Sequence, residues 1–200
     1  MRRHAAVSLL LGVLVLTAGI AGCNHSDGVM GGGNSQVRVM LTDAPADLIA
    51  SAKVTISRVY LVRDDDASVD LRLASDTPLS FELLDLRNGL TALLADHAVP
   101  AGNYSQLRLV VDAAEVTLVD GVTFSDGTTT KALKVPSGMQ SGIKVQLDTP
   151  IDADAGELTV VTVDFDVADN FVLQGRADAP NGVIFTPVLH EKGRTETAIP

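Results

Sequence analysis

Apolar and polar residues alternate along many short segments of the chain, and this pattern predicts β-strands separated by turns. The clearest example is residues 143–147, where Ile143, Val145 and Leu147 alternate with Lys144 and Gln146. Because successive side chains of a strand point to opposite faces, such a segment buries one face and exposes the other. The predicted strands are 37–42, 54–62, 79–86, 104–112, 116–119, 122–124, 130–135, 143–147, 161–167, 171–173 and 183–189.

Two segments depart from simple alternation. The apolar phase of the strand 54–62 changes around Ser57 and Arg58, which indicates a β-bulge. The leucines of residues 89–96 have helical spacing and predict one short helix there. Many short strands, frequent turn residues and a single helix together favour an all-β fold, an antiparallel β-sandwich.

The N-terminal segment has the features of a lipoprotein signal peptide. Arg2 and Arg3 precede an apolar stretch that ends at Ile20-Ala21-Gly22-Cys23, which resembles a bacterial lipobox. We expect cleavage after residue 22 and acylation of Cys23. The alternative is an uncleaved transmembrane helix, but the stretch is at the short end of the roughly 20 residues that a span requires.

These features predict the domain organisation and the location of the protein. The signal peptide is predicted at 1–22, the acylated cysteine and a flexible linker at 23–35, a β-sandwich domain at 36–190 and a C-terminal tail at 191–200. The lipid would anchor the protein to a membrane of the bacterial cell envelope. Asn24, which is not an aspartate, favours the outer membrane, on its periplasmic or surface face.

Composition excludes several classes of function. The chain carries a net charge of −10, which becomes −12 when Arg2 and Arg3 leave with the signal peptide. Such a surface repels phosphate backbones, so we expect no nucleic-acid partner. The chain contains no tryptophan and only two tyrosines, which disfavours a carbohydrate module that stacks sugars on aromatic rings. Its only cysteine is Cys23, so acylation would leave no thiol for a disulfide or a nucleophile.

The chain contains eight short motifs, in the order Val39–Pro45, Val54–Val59, Leu84–Gly89, Val99–Leu109, Val135–Gly138, Ser141–Lys144, Val163–Asp166 and Phe185–Val188. Together they resemble bacterial lipoproteins known only as domain-of-unknown-function family 4382. The resemblance covers essentially the whole domain after the linker. It implies a lipoprotein with an Ig-like or transthyretin-like sandwich, and it brings no established activity and no catalytic residues.

Carboxylates are the most plentiful candidate ligands. Asp164 and Asp166 would lie on one face of a single strand, where their repulsion requires solvent, a cation or basic neighbours. One hypothesis is that they bind a divalent cation such as calcium, together with Asp43. The other is a structural ion ladder in which Arg108 and Lys144 pair with Asp164 and Asp166 across neighbouring strands.

Other candidate sites are weaker. Asp64, Asp66, Ser68 and Asp70 have the alternate spacing of a calcium loop, but the loop lacks the turn glycine and the terminal glutamate. Residues 152–157 also offer oxygen ligands, and we interpret them as a β-turn before a strand.

Catalytic chemistry finds little support in the sequence. His97 and His190 are the only histidines of the predicted domain, and Ser137 lacks the glycine pattern of a nucleophile elbow. We therefore expect a lipid-anchored envelope module that binds a protein or polymer, or serves a structural role, without enzymatic activity or a cofactor. The first alternative is a calcium-binding adhesin or sensor domain, and the second is a hydrolase that uses His97 or His190.

Overall fold

The computed structural model describes residues 33–43, 46–135 and 141–199. The predicted signal peptide, Cys23 and almost all of the predicted linker lie outside these residues, as does Ser137. Within the described ranges, no helix combines the length and hydrophobicity needed to cross a membrane.

The described residues form mainly β-strands, as predicted. The helical elements that lie wholly within them are the 3₁₀ turn Leu83–Leu86 and the short helix α1, Val167–Asn170. The strands are β1 Asn34–Thr42, β2 Ile49–Val62, β3 Ser68–Leu71, β4 Leu79–Glu82, β5 Ala92–Pro100, β6 Gly102–Tyr104, β7 Gln106–Leu118, β8 Thr130–Leu133, β9 Ile143–Gln146, β10 Ile151–Ala153, β11 Glu157–Asp164, β12 Phe171–Arg176, β13 Ala179–Phe185 and β14 Leu189–Ala198.

Ten of these strands form one sheet that is nearly closed and barrel-like. Its main path is β3-β2-β7-β9-β14-β11-β1-β5, and β4 and β8 pair with β2 and β7. The two ends of the path meet where the Ala74 N–H donates to the Leu94 carbonyl and the Asp96 N–H donates to the Arg72 carbonyl, both at 3.0 Å. The sheet therefore curves back on itself and encloses one apolar core.

The pairing of the strands corrects the prediction of a purely antiparallel sandwich. β1 pairs with β11 in parallel over seven residues, and β14 pairs with β9 in parallel over two. The other strand pairs among the described residues are antiparallel. Parallel neighbours need not be adjacent in sequence, so alternation within each strand contains no signal for them. The all-β class is confirmed, whereas the single closing sheet is not clearly an Ig-like sandwich.

The core consists mainly of Val, Leu and Ile side chains from the inner face of this sheet. Val37, Val39 and Leu41 of β1 are fully buried and lie beside the equally buried Val161 and Val163 of β11. Aromatic rings close the end of the core at α1. Phe185 of β13 stacks on Phe165 at 6.2 Å between ring centroids and contacts Phe171 at 4.9 Å.

The predicted helix at 89–96 is wrong, because most of this segment belongs to strand β5. The pairing register of β5 with β1 shifts at Leu94, so both Leu94 and Ala95 are fully buried. This bulge interrupts the alternation of the strand, while Leu90 remains 62% exposed. The predicted bulge in β2 is confirmed, since the register with β7 shifts between Ile56 and Arg58.

Residues 191–198, which we predicted as part of a C-terminal tail, form most of β14. This strand pairs with β11 from His190 to Ala198, although residues 190–198 contain no apolar alternation. Backbone hydrogen bonds to a central, strongly apolar strand hold it in the sheet. Its polar side chains remain at the surface or bind neighbouring loops.

Strand β1 gives the domain two distinguishable ends. The chain enters the described part at Gly33, next to Asn34, and β1 ends at Thr42. Nine residues of strand cover about 26 Å at about 3.3 Å per residue. Because β11 runs parallel to β1, Asp164 lies opposite Thr42 at the end away from the entry point.

Candidate functional site

A cleft of about 480 Å³ lies at the end of the domain that is distant from Gly33. It is formed where β1 ends, where the 88–91 loop leads into β5 and where β11 meets β14. We call it the Thr42 cleft, and it is lined by Thr42, Asp43, Asn88, Gly89, Thr91, Thr162, Lys192 and Gly193.

Part of the Thr42 cleft exists because a strand residue that lines it, Gly193, has no side chain. Gly193 of β14 lies directly opposite Thr162 of β11. A Cβ atom added at Gly193 would have no atom within 4 Å, and its backbone is not in the left-handed region. A side chain at this position would therefore extend into the cleft without disturbing the strand.

One wall of the cleft is Lys192, which forms an ion pair with Asp164. The register of β14 shifts between Gly193 and Glu191, so Lys192 is the extra residue of a bulge. Its Nζ donates to Asp164 Oδ2 at 2.7 Å, and the lysine side chain is 63% exposed while the aspartate side chain is 10% exposed. This hydrogen bond is the main reason that the pKa of Lys192 is raised, and the negative charges of Asp164 and then Asp166 add to it.

Asp164 is the more constrained partner of the pair. Its second carboxylate oxygen, Oδ1, is buried and has no hydrogen-bond partner among the described residues. Burial of a carboxylate is unfavourable unless it is paired, so Lys192 is the main compensation for this charge.

Asp43 contributes a buried carboxylate to the opposite side of the cleft. It is 7% exposed, and its Oδ1 accepts a hydrogen bond from the Val167 N–H at 2.9 Å. Asp43 therefore connects the end of β1 to the first turn of α1. The neighbouring Thr42 hydroxyl lies within 3.0 Å of the Leu86 and Leu90 carbonyls, and this contact holds the 88–91 loop against β1.

Asp166 does not lie on the same strand as Asp164, which corrects our prediction. β11 ends at Asp164, and Asp166 is the N-cap of α1. Its Oδ1 accepts hydrogen bonds from the N–H groups of Ala168 at 3.0 Å and Asp169 at 3.3 Å. Asx residues are favoured at N-caps because their side chains satisfy free N–H groups.

The predicted ion ladder is also wrong. Arg108 of β7 and Lys144 of β9 lie directly opposite each other in the sheet. They are therefore cross-strand neighbours of each other and not of the two aspartates. The partner of Asp164 is Lys192, from a segment that we predicted as a tail. The structure thus brings Asp43, Asp164 and Asp166 to one end of the domain and leaves Arg108 and Lys144 elsewhere on the sheet.

The hypothesis of a cation site gains no geometric support from these carboxylates. Throughout the described ranges, no group of three or more His, Cys, Asp or Glu side chains is placed to hold a metal ion. In the acidic loop, Asp65 accepts a hydrogen bond from the Ala67 N–H at 3.1 Å, and Asp70 of β3 pairs with Arg58. The predicted turn at 152–157 is confirmed, with the Glu157 N–H donating to the Asp154 carbonyl at 3.1 Å.

The two candidate histidines are both exposed on strands. His97 lies on β5 and His190 lies on β14, opposite Asp164. Neither imidazole forms a side-chain hydrogen bond with another residue that the structure describes. The hydrolase hypothesis therefore gains no support from their surroundings.

Sequence reasoning missed Lys192, Gly193 and Asn170. The first two lie in a polar run without periodicity, and a lysine followed by a glycine between charged residues is the only local signal. Asn170 is fully buried, and its side chain donates to the Val188 carbonyl at 3.1 Å and accepts from the Val188 N–H at 2.6 Å. It links the end of α1 to the segment before β14.

Comparisons with known proteins give a family and a distant structural likeness. No curated protein matches the sequence significantly. Among solved structures, MbnP from Methylosinus trichosporium is similar at 13% sequence identity and a TM-score of 0.35, with 74% of this chain and 82% of that chain covered. A family model described as "Domain of unknown function (DUF4382)" matches residues 34–187. The match spans the described domain from β1 almost to the beginning of β14, and the chain therefore belongs to this family of unknown function.

Proposed function

We propose that the protein is a lipid-anchored binding module of the cell envelope, without enzymatic activity, and that the Thr42 cleft is its binding site. The observation that carries this proposal is the position of the cleft relative to the point where the chain enters the domain. A tether on Cys23 would lead into the domain through Gly33. The cleft lies at the other end of β1, about 26 Å away along the strand.

This arrangement would leave the cleft clear of the point where the tether enters the domain. A ligand in the envelope or on the cell surface could then reach the cleft without displacing the tether. The part of the proposal that places the protein at the outer membrane rests on the lipobox and Asn24 alone. A relationship to Ig-like or transthyretin-like sandwiches is part of the same proposal, supported by the mostly antiparallel pairing.

The lining of the cleft suits a polar ligand of mixed hydrogen-bonding character. Thr91 and Thr162 offer hydroxyl groups and Asn88 a carboxamide, so donors and acceptors are both present. Asp43 and Lys192 contribute opposite charges. A hydroxyl- or amide-bearing segment of an envelope polymer or protein has complementary groups for all of these side chains.

The proposal is tested by filling the cleft while the fold stays intact. We expect Gly193→Val to project into the cleft and to block binding. Gly182→Val is the matched control, because Gly182 is also in a strand and a Cβ there would also have no atom within 4 Å. Both variants should be at least as stable as the wild type, since glycine destabilises strand interiors by roughly 0.5–1 kcal/mol.

Binding is measured in cells with a photo-crosslinking residue at Thr91, on the rim of the cleft. The expected result is a discrete adduct with an envelope component in the wild type and the Gly182→Val background, and its loss in Gly193→Val. Equal adducts in all three backgrounds would contradict binding in the cleft. Repeated turnover of a substrate by the purified protein would contradict the non-enzymatic role.

The lipid anchor is tested separately. Cys23→Ala alone would leave the apolar leader uncleaved, because processing at the lipobox requires the cysteine. The test therefore replaces residues 1–23 with a secretory signal peptide that is cleaved without lipidation, and we expect this variant to be released from the membrane fraction with the folded domain unchanged. Continued membrane association of this variant would contradict the anchor, and it would leave the test of the cleft unaffected.

A further inference from the structure

Two cations face each other on the outer surface of the sheet, in a chain whose net charge is −10. Arg108 and Lys144 are direct cross-strand partners in the pairing of β7 with β9. Each of the seven ion pairs among the described residues joins a cation to a carboxylate, and none of them includes Arg108 or Lys144.

Some of the N–H donors of this cation pair have no hydrogen-bond acceptor among the described residues. The Arg108 Nε donates to Gln106 Oε1 at 2.8 Å, and Nη1 donates to the Ser141 carbonyl at 2.7 Å, so both acceptors are neutral. Arg108 Nη2 and Lys144 Nζ have no partner among the described residues. Directly opposite residues have Cβ atoms about 4.5–5.5 Å apart, which brings both head groups within reach of one small anion.

Like charges in this position oppose folding, because cross-strand pairs of equal charge are destabilising. The chain contains 25 acidic residues, and none of those described lies close enough to form an ion pair with this cation pair. A bound anion would relieve the repulsion. Arginine is well suited to such a group because its planar guanidinium binds phosphate or carboxylate through two N–H donors.

A cavity of about 400 Å³ adjoins Lys144, the lysine of the cation pair, and has room for the ligand that bears the anion. Lys144, Gln146, Ser105 and Thr149 line it, so it continues the polar face of β9. Asp148 also lines the cavity and would repel a negatively charged group placed near it. The anionic group is therefore restricted to the side of the cavity at Lys144.

We infer that Arg108 and Lys144 form a binding site for a phosphate group. Two adjacent cations match the double charge of a phosphate monoester or of inorganic phosphate better than the single charge of a carboxylate. The site is separate from the Thr42 cleft and does not depend on the function proposed for it. The phosphate could be free in solution or carried by a lipid head group.

The test uses Lys144→Glu, which replaces the repulsive pair with an ion pair. We expect the full chain to bind inorganic phosphate saturably in calorimetric titration. The variant should lose about tenfold or more in affinity, because a carboxylate both removes a donor and repels the anion. The same variant should raise the melting temperature by about 1–3 °C without phosphate, since it removes the like-charge contact.

Lys134→Glu is the matched control, because Lys134 is exposed, lies outside the strands and gives the same change in net charge. It should retain phosphate binding. Equal losses in both lysine variants would show only a general charge effect and would overturn the inference.

The source of the phosphate is distinguished with vesicles. Flotation with phosphatidylcholine vesicles that contain phosphatidic acid is compared with flotation with phosphatidylcholine alone. Lys144-dependent binding to the phosphatidic acid vesicles supports a lipid head group, and Lys144-dependent binding of inorganic phosphate alone supports a free ligand. Absence of saturable binding in both assays would overturn the inference.

Discussion

Lys192 and Lys144 are both exposed on the outer surface of the same sheet, yet their surroundings are opposite. Lys192 donates to Asp164, whose side chain is only 10% exposed. Lys144 faces Arg108 across a strand pair and has no carboxylate partner among the described residues. One lysine compensates a buried charge of the protein, whereas the charge of the other is available to a molecule from outside.

The comparison teaches that burial of the partner decides what a surface lysine does. An exposed ion pair contributes little to stability, because water solvates both charges when the pair is broken. When one partner is buried, loss of the other leaves a charge that water reaches poorly. We therefore expect the contribution of Lys192 to depend on Asp164, and that of Lys144 to be unfavourable until an anion binds.

The largest effect is expected for Lys192→Met. This change leaves the carboxylate of Asp164 buried and unpaired, and should lower the free energy of unfolding by about 1–3 kcal/mol. Asp164→Asn should cost less, because it leaves an ammonium group that is 63% exposed and readily hydrated. Urea unfolding measures both variants. The double variant should be more stable than Lys192→Met alone, and equal costs for the two single variants would contradict the asymmetry.

An intermediate effect is expected at Asp166, which has two roles near Lys192. Asp166→Ala removes the N-cap of α1 and should destabilise the domain by about 1 kcal/mol. Asp166→Ser retains a capping oxygen and removes only the charge, so its stability should be close to that of the wild type. Thermal unfolding of both variants separates the two roles. A similar loss in Asp166→Ser would show that the charge beside Lys192 matters more than the cap.

A smaller effect is expected from reversing charges at the other lysine. Lys144→Glu should stabilise the domain by about 0.2–1 kcal/mol, because it converts a repulsive cross-strand pair into an attractive one. Arg108→Glu creates the same attraction but removes the hydrogen bonds to Gln106 and to the Ser141 carbonyl, so its net gain should be smaller. The double variant restores a like-charge pair and should lose this gain. A double-mutant cycle in chemical denaturant measures the coupling between the two sites. A coupling of zero would show that the two charges do not interact.

The smallest effect is expected in the alkaline pH range. The pKa of Lys192 is raised in the folded protein, so the folded state retains its proton above the ordinary lysine pKa of 10.5 while the unfolded state releases it. The stabilisation by this pair is therefore complete below pH 10.5 and is lost as the pH rises further. The difference in unfolding free energy between wild type and Lys192→Met should narrow above that pH. A constant difference up to strongly alkaline pH would contradict this linkage.

Much of the fold could be predicted because most core strands have a regular apolar period. Ile143 and Val145 are buried in β9 with Lys144 and Gln146 exposed, as their alternation indicates. The bulge in β2 was visible as a change of phase at Ser57. These features depend on local sequence alone.

The remainder depends on pairing between distant residues. The bulge at Leu94 makes two consecutive residues of β5 buried, which imitates helical spacing. β14 has a polar sequence and is held by backbone pairing with β11. The alternation of inward and outward side chains in β11 was predicted correctly for Val161 to Val163. The strand ends at Asp164, however, so Asp166 is the N-cap of α1 and not a strand residue. Lys192 could not be identified as a partner while its segment was predicted as a tail.

Gly156 has a consequence for engineering the chain. Its N–H donates to the Asn34 carbonyl at 3.0 Å and its carbonyl accepts from the Ile199 N–H at 2.8 Å, so the first and last strands meet at one residue. A few added residues could therefore join Ile199 to Gly33 in a circular permutant. New termini at the turn that contains Gly121, after β7, would leave the sheet uninterrupted. A lipid placed there would hold the domain by a different point, and the tether would no longer enter at the end of β1 that is distant from the Thr42 cleft.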